Sequence, residues 1–143
     1  MKVKLLESNY DKETGISTAS IETDCGIFYG KARLHPDDKE YESNFAGCNY
    51  AETRAIIKYF KYKAKIVKIK IEGIKSYEKT LKNRKDYNKY SIENMMLRKY
   101  IVELEKNKAH WEDNIISLQE KLNAGIDNRI KVIKKMKDKK GDK

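Results

Sequence analysis

Proline is nearly missing from this chain: Pro36 is the only one in 143 residues. So few fixed breaks favour long helices over a loop-rich fold. Cysteine is scarce as well. Cys25 and Cys48 form no CxxC pair, so nothing indicates a disulfide framework, and a reduced, cytoplasmic protein is expected. His35 and His110 stand apart from each other and from both cysteines, which argues against a zinc site and leaves little choice of general base. No run approaches the roughly 18 apolar residues of a membrane span. The opening residues Met1 to Ser8 turn acidic too soon for a secretory leader. There is no nucleophile elbow, phosphate-binding loop, dinucleotide fingerprint or HExxH motif. A binding protein is expected rather than an enzyme, with no catalytic residue, no cofactor, no metal and no membrane partner.

What the chain does have is charge. It carries 32 Lys+Arg against 22 Asp+Glu, a formal net charge of +10. The distribution is uneven. Residues 1–49 hold 6 basic and 9 acidic side chains, and residues 50–143 hold 26 and 13. A mildly acidic first third followed by a strongly basic remainder points to an anionic partner such as a nucleotide, a phosphate or a nucleic acid. A plain lysine-rich solvated surface gives the same numbers.

Residues 16–23 alternate and are rich in β-branched side chains, and residues 2–10 and 27–34 read as strands on either side of it, with polar turns at 11–15 and 24–26. They predict an antiparallel β-meander of three strands. Gly30 inside the third strand predicts a bulge or a close backbone approach. His35-Pro36 ends the strand, and residues 41–46 read as a short irregular segment. Ile56, Phe60, Val67, Ile71, Ile74 and Leu81 then recur near the helical period, predicting a first helix over 47–81. Val67, Ile69 and Ile71 also alternate with lysines, so a strand at 65–72 is the competing reading. Residues 82–90 carry no apolar stripe and mark the reversal. A second helix is predicted over 91–136. Its heptad-like seam of Leu97, Ile101, Leu104, Trp111, Ile115, Leu118 and Leu122 is interrupted at Gly125 and resumes in a shifted frame at Ile126, Ile130 and Ile133. The fold class is therefore α+β: a small amino-terminal antiparallel sheet with its loop (1–46), then a helical region (47–143) that is partly coiled-coil-like and ends in a basic tail, all in one domain. A small sheet and two helices leave the seam without a cover, which predicts self-association.

The stretch Gly47-Cys48-Asn49-Tyr50-Ala51-Glu52-Thr53-Arg54 reads as a loop turning into a helix. Asn49 is placed as the N-cap, with Glu52 as its capping-box partner. Arg54 and Lys58 follow on one face, beside an anion-favouring helix start. Cys48 is either a reactive thiol at that start or a small packing residue. Tyr50 and Tyr59 are candidates to stack on a base or bond a ribose, or else ordinary amphipathic packers. Arg33 and Tyr29 on the third strand are weaker candidates. Asn94 and Arg98, four apart on the second helix, are able to complete a pocket from another copy of the chain.

The β-meander followed by GCNYAETRAIIKYFKYK and then basic helices resembles the Thoeris anti-defence proteins of the first kind. These are phage-encoded sponges for a cyclic ADP-ribose isomer that bacterial TIR-domain enzymes make as an alarm signal. The resemblance implies tight binding without cleavage, so that the effector awaiting the signal stays inactive in the infected cell's cytoplasm. It implies dimers or hexamers built from dimers, with pockets at subunit contacts, and in some members separate sites for cyclic oligonucleotides. No stable nucleic-acid partner is expected. The alternative is a small basic phage protein that binds nucleic acid or serves assembly.

Overall fold

Three β-strands and two long helices make up the computed structural model, which describes residues 3–34, 43–82 and 91–141. The strands are β1 (Lys4–Asp11), β2 (Ile16–Thr23) and β3 (Gly26–Arg33), and the helices are α1 (Asn44–Lys82) and α2 (Ser91–Gly141). The sheet is antiparallel in the order β1-β2-β3, with Ala19 opposite Gly30 and Ser20 opposite Tyr29. This is the expected α+β architecture. The reversal expected at 82–90 falls almost wholly outside the described residues, as do His35-Pro36 and residues 41–42, whereas residues 44–46 of the segment expected to be irregular are helical.

The turns follow from local chemistry. Gly15 adopts φ +70° and donates its N–H to the Asp11 carbonyl at 2.8 Å, closing the first hairpin. In the second, the Thr23 hydroxyl accepts from Cys25 N at 3.1 Å and donates to the Gly26 carbonyl at 2.8 Å. The register shift in the sheet lies in β1 between Leu5 and Glu7, not at Gly30.

Contacts group the chain into two compact units. The first comprises residues 1–59 and 116–143, the second residues 60–115. In the first, the inward residues of the sheet are small. Ala19 and Ala32 pack with Ala51 of α1, and Tyr50 leans on the cluster. Gly30 sits where the helix comes closest: a Cβ there would lie 1.8 Å from the Ala51 carbonyl oxygen and 2.6 Å from Ala55 N. The close approach read from Gly30 is therefore present, and the bulge is elsewhere. Tyr59 is fully buried, its ring edge-on to Phe28 with centroids 5.5 Å apart and its hydroxyl donating to the Asp24 carboxylate.

In the second unit α1 and α2 pack as an antiparallel pair. Val67 and Ile71 bury against Ile101 and Leu104, with Ile74 and Trp111 at the margins and Phe60 against Trp111. Residues 65–72 are helical throughout, which rules out the strand reading. Burial of the Val67–Ile71 edge against α2 explains the outcome: the 3.6-residue period has a partner, and the alternating lysines are free to face water. The seam on α2 is correspondingly used within the chain. Ile101 and Leu104 are covered in the second unit, and Leu122 is buried in the first. The premise that a sheet and two helices leave the seam uncovered is thus corrected at these positions.

One correction bears directly on the site. Helix α1 starts at Asn44, and Ser43 is its N-cap: the Ser43 Oγ accepts from Ala46 N at 3.2 Å. Asn49 lies in the second turn, exposed, with its carbonyl accepting from the Thr53 hydroxyl at 2.9 Å. Gly47 is not a break. A Cβ at 47 would meet the Ser17 Oγ at 2.2 Å, so the missing side chain gives the helix clearance beside β2. Ser43→Ala should lower stability by about 1 kcal/mol in urea unfolding, whereas Asn49→Ala should not lower it.

Candidate functional site

The helix start, the sheet end and the distal part of α2 converge within the first unit on a cavity of about 240 Å³. Three guanidinium groups line it. Arg33 comes from the last residue of β3, Arg54 from the third turn of α1, and Arg129 from α2. Arg54 is anchored by donating from Nη1 to the Lys31 carbonyl at 2.7 Å, a group on the edge strand of the sheet. That bond aims the fork and leaves its charge intact. Among the described lining residues there is no Asp or Glu. The described lining is therefore basic, with three arginines and no carboxylate.

The remaining walls are aromatic and apolar. Tyr50 lines the cavity and is fixed in place by donating its hydroxyl to the Gly125 carbonyl at 3.2 Å. Tyr10, from the end of β1, lines it too. Ile126, Ile130 and Ile133 form a ridge on successive turns of α2. Ser43, Ala46 and Gly47 bring the first turn of α1 to the same space, so the positive end of the helix faces it. The anion-favouring helix start read from the sequence exists, six residues before Asn49.

Of the residues singled out from the sequence, Arg33, Tyr50 and Arg54 are brought together here. Lys58 is exposed on α1 and Tyr29 is 63% exposed on the outer face of the sheet; neither lines the cavity. Asn49 does not line it either, and Tyr59 is committed to the core. Arg98 belongs to the second unit, where its Nε pairs with Glu78 at 2.9 Å. Asn94 lies on α2, and its side chain is outside the described residues. Cys48 sits inside α1 as a half-buried free thiol, and Cys25 is likewise free and half-buried. Among the described residues no group of His, Cys, Asp and Glu side chains is arranged to hold a metal, and no helix is long and apolar enough to cross a membrane.

No family model, curated protein or solved structure matches the chain.

Two lining residues escaped the sequence reading. Tyr10 lies far from the helix-start motif in sequence and carries no local signal. Arg129 did have one: it falls three residues after Ile126 and four before Ile133, on the face that resumes the apolar pattern beyond Gly125.

Proposed function

We propose that this protein binds and sequesters a cyclic ADP-ribose-type nucleotide signal made by TIR-domain defence enzymes, without cleaving it, as a phage anti-defence sponge. The observation that carries the reading is the convergence of Arg33, Arg54 and Arg129 on a cavity whose described lining has no carboxylate. A pyrophosphate matches such a set of forks, since guanidinium groups bind phosphate oxygens bidentately. Tyr10, Tyr50 and the isoleucine ridge offer faces for adenine or the edge of a ribose.

Size favours a shared pocket. The cavity's 240 Å³ lies below the roughly 300–1,000 Å³ of sites that enclose drug-sized ligands. One chain then encloses part of such a nucleotide, and a second copy in a dimer or larger assembly covers the rest. Asn94 and Arg98 are proposed for that role, Arg98 by exchanging its pairing with Glu78. Calorimetric titration with cyclic ADP-ribose isomers tests the reading. It requires saturable binding by the wild type that Arg33→Ala weakens; absence of heat with every isomer would refute it.

A further inference from the structure

The second unit carries a feature the cavity does not use. Lys61, Lys65, Lys68, Lys75 and Lys79 recur on α1 at steps of four, three, seven and four, and all five are exposed. That spacing sets them on one face of the helix, with Glu72 at the intervening step. The row runs about 27 Å along the axis at 1.5 Å per residue. It is distinct from the line of Val67, Ile71 and Ile74 that packs toward α2. This stretch of α1 is more basic than the part of α2 in the same unit. Residues 61–79 hold seven lysines against Glu72 and Glu78, while residues 91–115 hold four basic and five acidic side chains. One lysine of the row, Lys75, is tied to Glu105 at 3.4 Å.

We propose that this lysine row is a docking surface for the phosphate backbone of duplex nucleic acid, bound without regard to sequence and separately from the cavity. A straight row of ammonium groups is complementary to a rod carrying one negative charge per roughly 1.7 Å of axis. A membrane surface fits less well. A helix lying in a bilayer interface inserts a broad apolar face, and the apolar line of α1 is occupied by Ile101 and Leu104. Contacts of this kind are transient and release counterions, so affinity falls steeply with salt.

The test uses the full chain, a fluorescently labelled 20-base-pair duplex of mixed sequence, and anisotropy at several salt concentrations. With four or five lysines engaged, the slope of log affinity against log salt should be about −3.6 to −4.5. The triple variant Lys61→Gln, Lys65→Gln, Lys68→Gln should lose about 1 from the magnitude of that slope per lysine, and at least tenfold in affinity at low salt. Glutamine keeps helix propensity, and circular dichroism checks the fold. A second variant, Lys131→Gln, Lys134→Gln, Lys135→Gln, removes the same charge from distal α2 and should keep most of the binding. Equal losses in both variants would show net charge rather than the row at work, and no loss in the first would exclude the row; either result overturns the proposal. So would tighter binding to phosphatidylserine vesicles than to the duplex at equal salt.

Discussion

Gly30→Ala is expected to lose about 3 kcal/mol or more of stability, a large fraction of what holds a small protein folded. The new methyl carbon would stand 1.8 Å from the Ala51 carbonyl oxygen and 2.6 Å from Ala55 N. Both are backbone atoms in the middle of a helix and cannot rotate away, unlike the Ser17 hydroxyl that a Cβ at Gly47 would meet. Relief therefore means moving the whole helix off the sheet, which uncovers Ala19, Ala32 and Ala51 together. Gly73→Ala is the matched control. A Cβ at that helical position meets nothing within 4 Å, so the change should raise stability by up to about 1 kcal/mol through helix propensity. Urea unfolding followed by circular dichroism measures both. If Gly30→Ala unfolds at the wild-type midpoint, the close contact between β3 and α1 is wrong.

The second large effect concerns the three arginines. Hydrogen bonds to a charged group contribute about 1.5–3 kcal/mol each, so Arg33→Ala and Arg129→Ala should each weaken binding of a cyclic ADP-ribose isomer by about 10- to 150-fold. Arg54→Ala should weaken binding similarly with little change in stability, because the Lys31 carbonyl it releases lies on an exposed sheet edge where water replaces the guanidinium. Arg54→Lys separates charge from geometry. It keeps the cation but not the planar fork, and should recover little of the affinity if phosphate is gripped bidentately. Lys58→Ala and Tyr29→Ala, both outside the cavity, should bind as wild type. Loss of binding in those two with none in the arginine variants would move the site elsewhere.

The elements were legible where a period has a partner that rewards it, and at 65–72, where two periods compete, the packing decides for the helix. The strands alternate, and their inward residues meet α1. The helical period of Val67 and Ile71 meets Ile101 and Leu104. Gly47 misled because a glycine beside an asparagine looks like punctuation, and only the packing shows that it is there for clearance from Ser17. That one misreading shifted the helix start from Ser43 to Asn49 and made Asn49 a ligand candidate. The site was half legible. Arg33, Tyr50 and Arg54, all candidates from the sequence, line one cavity; Tyr10 and Arg129 join them there only through the topology. The heptad seam pointed outward for a related reason. Periodicity reveals an apolar face but not its occupant, and here α1 covers part of it.

The central claim is retention without destruction, and one measurement addresses it directly. A cyclic ADP-ribose isomer is mixed with excess protein, the free fraction is removed by filtration, and the retained protein is heat-denatured to release what it holds. The account predicts a filtrate depleted of ligand and recovery of the same intact isomer from the denatured protein. Ligand left in the filtrate, or release of a hydrolysed product in its place, would contradict it.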